Sequence, residues 1–194
     1  SSVCLSSDLN FPIFALSYTD ENRFHMENQP LQILDHASVQ HRLKRMAFEI
    51  YEAHYGEEEL LIIGIDERGG YIAQALVDLL ADISPLSLVY IQAHLDRETN
   101  APAIGIELEA SVEDLYEKPL LVVDDVLFKG STLLNVVSIL LHAFPKTIRT
   151  AVLIDRGHRS LPIASDITGL TLATTIKQYV TVEIKDDQIS AYLA

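Results

Sequence analysis

The chain has 194 residues, of which 48% are hydrophobic, and it carries a formal net charge of −14. This length predicts one substantial core in a single domain, and no apolar run is long enough to span a membrane. The single cysteine excludes an internal disulfide framework and a cysteine-based zinc cluster, while the acidic charge disfavours nucleic acid, including RNA, as a partner.

Residues 1–30 are predicted to be an N-terminal extension with no assigned chemistry. Its apolar part, Leu5 to Leu16, lacks a basic leader and is interrupted by Ser, Asp, Asn and Pro, so it does not have the pattern of a secretory signal. A cytoplasmic protein is therefore expected.

An amphipathic helix is predicted to start near Asp35 or Ser38 and to end at Gly56. Its apolar face repeats with helical spacing and comprises Val39, Leu43, Met46, Ala47 and Ile50. The same helix carries the basic stretch 41–45. A solvated helix face, with acids one turn away, is a better interpretation of this stretch than a nucleic-acid patch.

A second strand-and-helix unit follows. Leu60 to Ile65 is predicted to be a buried strand, Asp66 to Gly70 a glycine turn, and the residues after it a helix. Leu86 to Ala93 is predicted as the next strand. After the polar region 94–103, Ile104 to Leu108 is predicted as a short strand.

The most informative stretch is LLVVDDVLFKGSTL, residues 120–133. Leu120 to Val123 have the composition of a buried strand in a parallel sheet, and two carboxylates, Asp124 and Asp125, follow directly. Adjacent acids at the end of a buried strand cost free energy, so a ligand site is favoured over an ordinary strand-to-helix turn. A short loop then leads to a helix with apolar positions at Leu133, Val136, Val137, Leu140 and Leu141.

The loop before this helix suits a phosphate group. The first N–H groups of a helix are unpaired, and Gly130 lets the main chain approach an anion closely. Lys129 adds a positive charge, and Ser131 and Thr132 either donate hydroxyl hydrogen bonds to the ligand or cap the helix. Aspartates at the end of the strand suit sugar hydroxyls, or a metal held through water. A ribose 5-phosphate combines these groups.

A fourth strand, Ile148 to Ile154, ends in a third polar turn at Asp155 to Arg159. Alternating strands and helices predict an α/β fold with a doubly wound, mostly parallel sheet, and the three turns after its strands should converge on one edge. Residues 160–194 are predicted to add short strands as a small hood or as an edge of the sheet.

The third turn leaves several interpretations open. Asp155 either caps the turn or faces a base or ribose. Arg156 and Arg159 suit surface ion pairs and ligand contacts equally well. His158 has a structural role in preference to a catalytic one.

The central segment resembles the phosphoribosyl-diphosphate (PRPP) motif of type I phosphoribosyltransferases, in which an apolar strand, two acids and a short loop with Thr-Gly precede Ser/Thr. Lys129 stands where that family usually has threonine. From about Ile33 to Ile184, the chain is similar to pyrimidine-operon regulatory proteins that double as uracil phosphoribosyltransferases. The stretches GIDERGGYIAQAL and AVLIDRGHRSLPI carry this part of the resemblance.

This resemblance implies transfer of ribose 5-phosphate from PRPP to a nucleobase, with uracil favoured, Mg²⁺ as cofactor and pyrophosphate as product. It implies a homodimer and a water-mediated metal contact to the two aspartates of the motif. The implied PRPP-binding set is Asp124, Asp125, Val126, Leu127, Phe128, Lys129, Gly130, Ser131 and Thr132. The implied pyrophosphate loop is Asp66, Glu67, Arg68 and Gly69, the base-facing set is Asp155, Arg156, Gly157 and His158, and the catalytic set is Asp124, Asp125, Arg68 and Arg97.

Two departures from the family pattern affect catalysis. Asp66 and Glu67 stand where the family usually has Lys-Thr, and two like charges 4 Å apart repel by about 4 kcal/mol at an effective dielectric of about 20. Arg97 is the sole basic residue in region 94–103, where the family has a longer, basic loop. The sequence therefore predicts either an active phosphoribosyltransferase or a catalytically weak or inactive regulator that binds a nucleotide or PRPP.

Overall fold

The computed structural model describes residues 30–96, 105–173 and 178–194. The predicted N-terminal extension, apart from Pro30, and the catalytic candidate Arg97 lie outside these residues. The strands are β1 Leu31–Leu34, β2 Glu59–Ile65, β3 Ser87–Asp96, β4 Gly105–Leu108, β5 Pro119–Leu127, β6 Thr147–Asp155, β7 Ile167–Thr171, β8 Val180–Lys185 and β9 Gln188–Leu193. The α-helices are α1 His36–Ala53, α2 Asp66–Ile83, α3 Val112–Leu115 and α4 Ser131–Leu140, and α4 continues into a 3₁₀ turn, Leu141–Ala143.

A six-stranded sheet forms the centre of the fold, in the order β4-β3-β2-β5-β6-β7. All neighbouring strands in it are parallel except β4, which pairs antiparallel with β3. Helices cover both faces of this sheet, and alternate strand residues point to opposite faces. Leu60 and Ile62 pack with α1 and α2, whereas Leu61 and Ile63 pack with α4. The predicted doubly wound, mostly parallel α/β fold is confirmed.

Helix α1 has the apolar face that its spacing predicts, and all five of those positions are buried. The Asp35 side chain caps the helix by accepting a hydrogen bond from the Ser38 N–H at 2.8 Å. On the basic stretch, the guanidinium groups of Arg42 and Arg45 donate to the carbonyl oxygen of Gly169 at the edge of the main sheet. His41, Lys44 and Arg45 are exposed, and Arg45 pairs with Glu49 one turn away, as predicted for a solvated helix face.

Two boundaries differ from the sequence prediction and both affect the site. Strand β5 extends through Asp124 and Asp125 to Leu127, so the acid pair lies within the strand instead of after it. Helix α2 begins at Asp66, directly after β2, so the predicted glycine turn is wrong. Glycine is needed there for packing: a Cβ at Gly69 would lie 2.8 Å from the backbone oxygen of Val123.

The end of the fourth helix also differs from the prediction. Leu133, Val136 and Leu140 are buried as expected, but Leu141 lies in the 3₁₀ turn with 57% of its surface exposed. The change from α-helix to 3₁₀ turn alters the angular spacing of the side chains, so the helical periodicity no longer predicts which face is buried.

The last part of the chain divides between two sheets. Strand β7 forms the outer parallel edge of the main sheet, next to β6. Strands β8 and β9 form an antiparallel pair that β1 completes, giving a second, three-stranded sheet in the order β1-β9-β8. The prediction of a hood or an edge is thus correct for both alternatives. Among the described helices, none is both long and apolar enough to cross a membrane.

Candidate functional site

A cleft of about 360 Å³ opens at the carboxyl ends of the two central strands, β2 and β5. Such crevices are the usual ligand sites of open parallel sheets. The start of α2 and the acid pair of β5 meet here, so two of the three regions that were predicted to converge line this cleft. The lining residues are Ile65, Asp66, Glu67, Arg68, Asp124, Asp125, Val126 and Thr132.

The acid pair is anchored by its own backbone. One oxygen of Asp124 accepts a hydrogen bond from the Asp125 N–H at 2.9 Å, and one oxygen of Asp125 accepts from the Val126 N–H at 2.8 Å. The second oxygen of Asp125 lies 3.9 Å from Nη1 of Arg68. At this distance the ion pair is weak, so both partners remain available to a ligand.

The fold disfavours the charged form of the Asp124 carboxyl group. Burial raises its pKa well above the ordinary value of 3.8, and the neighbouring carboxylates of Asp125 and Asp66 raise it further. Burial does so because a charged carboxylate loses hydration in the protein interior. A cationic group bound in the cleft would offset this cost, which is the electrostatic property expected of a metal-assisted site.

The segment between β5 and α4 has the open amides that a phosphate requires. Throughout the described chain, the backbone N–H groups of Lys129, Gly130, Ser131 and Thr132 donate to no acceptor. Gly130 is the N-cap residue with φ of +86°, and no side chain caps the helix, so the alternative that Ser131 or Thr132 caps it is wrong. Backbone amides at a helix start and two uncommitted hydroxyls are together suited to binding an anion. We call residues 128–132 the phosphate loop.

The third turn is hydrogen-bonded to the end of β5 and to the phosphate loop. The carbonyl oxygens of Leu127 and Lys129 accept hydrogen bonds from the N–H groups of Arg156 and Ser160 at 3.0 and 3.1 Å. Arg156 is 2% exposed, and its guanidinium lies 3.8 Å from the centroid of the Phe128 ring. The surface ion pair considered for Arg156 is therefore wrong, and the sequence showed no sign of this buried stacking contact.

The remaining residues of the third turn have mainly structural partners. Asp155 caps the turn, because one of its oxygens accepts from the Gly157 N–H at 2.8 Å and the other lies 3.3 Å from Nη2 of Arg159. The ion-pair interpretation of Arg159 is confirmed. Neither Asp155 nor Arg156 lines the cleft. A base-facing role remains a prediction for Asp155 and Arg156, which are buried, and for Gly157 and His158, which are exposed.

The predicted pyrophosphate residues lie at the start of α2. Glu67 and Arg68 are exposed, and Arg68 is the only basic residue among those that line the described cleft. Asp66 has a φ of +49°, and its Oδ1 accepts a hydrogen bond from the Leu95 N–H at 2.9 Å. Gln92, which sequence reasoning missed, donates from Nε2 to the Asp66 carbonyl oxygen at 2.8 Å. Its signal was a single polar residue between Ile91 and Ala93 in a buried strand.

The donor set fits a magnesium ion that is held mainly by substrate and water. Within the described segments, no group of three or more His, Cys, Asp or Glu residues is placed to ligate a metal directly. Mg²⁺ keeps several water ligands and commonly binds one or two carboxylates together with substrate phosphates. Asp124 and Asp125 would supply these carboxylates, and the contact through water remains a prediction.

Comparison with known proteins gives the family of the chain. Residues 30–187 match the phosphoribosyl transferase domain family. The chain is 34% identical over 175 residues to the bifunctional protein PyrR of Clostridium acetobutylicum, and the match covers 85% of this chain and 98% of that protein. It is 32% identical over 161 residues to the bifunctional protein PyrR of Leuconostoc mesenteroides, with 80% and 91% covered. These matches confirm the family and subfamily resemblance of the sequence.

Solved structures resemble the fold. A hypoxanthine phosphoribosyltransferase from Trypanosoma cruzi superposes with a TM-score of 0.70 at 16% identity and covers 83% of this chain and 94% of that one. A hypoxanthine-guanine phosphoribosyltransferase from Bacillus anthracis gives a TM-score of 0.67 at 14% identity, covering 83% and 96%. At such low identity these likenesses concern the architecture alone.

Proposed function

The chain belongs to the phosphoribosyltransferase family, and on this premise we propose that it transfers the ribose 5-phosphate group of PRPP to a nucleobase, with uracil as the base. One observation carries the proposal: Thr132 of the phosphate loop, whose N–H is open, and the acid pair, Asp124 and Asp125, line the same cleft. A ligand that carries a phosphate and a diol on one pentose satisfies both groups at once. The choice of uracil rests on the subfamily resemblance.

Each part of the ligand has a matching group. The amides of Gly130 to Thr132 and the exposed ammonium of Lys129 hold the 5-phosphate, because amides at a helix start and a cation both favour a dianion. Asp124 and Asp125 accept hydrogen bonds from the ribose hydroxyls. Arg68 contacts the pyrophosphate. Charge-assisted contacts of this type contribute about 1.5–3 kcal/mol each.

The reaction needs stabilisation of charge and no protein nucleophile. The bond between ribose C1 and the pyrophosphate oxygen breaks, a bond from C1 to a base nitrogen forms, and the proton of that nitrogen is released. Positive charge develops on the ribose ring, and the carboxylates of Asp124 and Asp125 stabilise it. When bound, Mg²⁺ neutralises the charge of the departing pyrophosphate. A homodimer and one catalytic domain that includes the whole chain are further predictions from the resemblance.

The test mixes the protein with PRPP, Mg²⁺ and each common base and measures pyrophosphate release. The proposal expects turnover that is fastest with uracil. Absence of turnover with every base would reject the enzyme.

The acidic lining favours a second candidate, a regulator that binds PRPP or a nucleotide and has weak or no catalysis. Among the described residues that line the cleft, there are four acids, Asp66, Glu67, Asp124 and Asp125, and one cation, Arg68. Their negative charge opposes the entry of pyrophosphate more than the entry of a nucleoside monophosphate. This candidate predicts that UMP binds in calorimetry while PRPP is not consumed. If UMP shows no affinity, the regulator is excluded.

RNA binding is the weaker form of the regulator. The net charge of −14 repels a polyanion. The basic helix stretch is also partly engaged, since Arg42 and Arg45 donate hydrogen bonds to main-chain carbonyl oxygens. A filter-binding assay with single-stranded and hairpin RNA at about 0.15 M salt tests it, and retention of either RNA would restore this function.

A further inference from the structure

Asp66, at the start of α2, would repel a pyrophosphate group if its side chain faced the ligand. Asp66 has a φ of +49°, a conformation that few residues except glycine, asparagine and aspartate adopt readily. Its carboxylate accepts the Leu95 N–H at 2.9 Å. Both features are local reasons for an aspartate at this position.

The backbone of the same residue is held by a second contact. Nε2 of Gln92 donates to the carbonyl oxygens of Asp66 and Gly64 at 2.8 and 3.2 Å, and its Oε1 accepts a hydrogen bond from the Tyr90 hydroxyl. Side chain and main chain of Asp66 are therefore both bound to the end of β3. No flexible loop separates β2 from α2, so the position of this junction determines where Glu67 and Arg68 enter the cleft.

From these contacts we infer that Asp66 is a positioning residue, which fastens the start of α2 to β3 through Leu95 and so holds the pyrophosphate segment in place. The identity of the ligand in this inference rests on the proposed function, whereas the contact between Asp66 and Leu95 does not. In this arrangement the carboxylate acts as the hydrogen-bond acceptor for the Leu95 N–H. The lysine that the family usually has at this position has no acceptor for the Leu95 N–H.

Two substitutions separate the acceptor from the charge. Asp66→Asn keeps an oxygen for the Leu95 N–H, tolerates the positive φ and removes the charge. Asp66→Ala removes the acceptor and the charge together. Glu67→Gln is the matched control, because it removes a neighbouring exposed charge and leaves the Leu95 contact intact.

The first measurement is hydrogen exchange of the Leu95 amide by NMR, which requires no ligand. We expect wild-type protection in Asp66→Asn and Glu67→Gln, and exchange roughly ten- to hundredfold faster in Asp66→Ala, in line with the loss of one charge-assisted hydrogen bond. Unchanged exchange in Asp66→Ala would overturn the inference.

The second measurement compares binding of PRPP with Mg²⁺ and binding of UMP, which has no pyrophosphate. We expect Asp66→Ala to weaken PRPP binding about tenfold or more while UMP binding changes little, and Asp66→Asn to restore PRPP binding to the wild-type level or better. If both variants bind PRPP more tightly, Asp66 acts only as a repelling charge. If both lose PRPP equally, the charge itself is required. Either result overturns the inference.

The two measurements also separate this inference from the proposed function. If the wild-type protein binds neither PRPP nor UMP, the proposed function fails. The exchange rate of Leu95 then still decides whether Asp66 fastens α2 to β3.

Discussion

The two central strands of the sheet each run into a helix at the cleft, but the two junctions differ. Between β5 and α4, a three-residue loop contains Gly130 at a φ of +86°, and the N–H groups from Lys129 to Thr132 are open. Between β2 and α2 there is no loop, and the residue with positive φ is Asp66, whose carboxylate is bound to Leu95. One junction has open N–H groups that suit an anion, and the other is hydrogen-bonded to its neighbouring strand.

This difference indicates how far the chain keeps the family chemistry. The phosphate loop retains backbone donors, which do not depend on side-chain identity, so Lys129 in place of threonine leaves them unchanged. The proposed pyrophosphate segment, residues 66–69, would depend on side chains, and Arg68 is the one cation among the described residues that line the cleft. Binding of ribose phosphate should therefore be more robust than handling of pyrophosphate.

The largest effect is expected from Asp125→Asn. The variant weakens two charge-assisted contacts to the ribose hydroxyls and leaves Arg68 without its carboxylate partner. At about 1.5–3 kcal/mol per contact, kcat/KM for PRPP should fall by roughly a hundredfold or more. Pyrophosphate release measures this, and Glu113→Gln, an equal change of charge at an exposed position away from the cleft, is the control. Equal activity of both variants would mean that the ribose does not lie against the acid pair.

Gly130→Ala tests the phosphate loop. An added Cβ would lie 2.6 Å from Cγ2 of Ile163, and the positive φ adds strain of about 1–3 kcal/mol. We expect a lower free energy of unfolding and at least about tenfold weaker UMP binding, measured by denaturation and calorimetry. Gly56→Ala is the matched control, since its φ is +89° and no atom lies within 4 Å of the added Cβ. Gly56→Ala should lower the free energy of unfolding without weakening UMP binding. Weaker UMP binding in both variants would contradict the assignment of the phosphate loop.

A smaller effect is expected from Lys129→Thr, which installs the residue usual in the family. The ammonium is exposed, so its contribution to phosphate binding is about 1 kcal/mol and is screened by salt. UMP affinity at low salt should fall by about threefold to fivefold, and its dependence on salt should become weaker. An affinity drop that persists at high salt would show that Lys129 makes a specific, water-excluded contact.

The last prediction concerns stability and has no activity readout. Because the pKa of Asp124 is raised in the fold, the folded chain holds more protons than the unfolded chain between pH 3.8 and the raised value. The free energy of unfolding therefore falls as pH rises through that window, and the cost is complete above it. Asp124→Asn removes the cost and keeps an oxygen for the Asp125 N–H. Calorimetry should show a higher melting temperature than wild type at about pH 8 and no such advantage below pH 3.8; a less stable variant at pH 8 would contradict the burial argument.

Much of the fold followed from the sequence because its signals are local and periodic. The apolar face of α1 and the buried strands β2 and β5 are determined by spacing and composition. The predicted end of β5 and the predicted start of α2 were less accurate, because a hydrophobic pattern does not show where the hydrogen bonds between strands end. The acids of β5 stay in the strand because its neighbour β6 pairs with it as far as Leu127.

The sequence by itself determined the class of fold, the acid pair, the glycine of the phosphate loop and the family resemblance. All of these depend on short stretches whose chemistry is independent of distant residues. Only the tertiary structure decided that Asp66 binds Leu95, that Arg156 stacks on Phe128 and that Asp155 caps its own turn. A polar side chain takes its partner from what the packed strands and loops bring within about 3 Å, and most of those neighbours are distant along the chain.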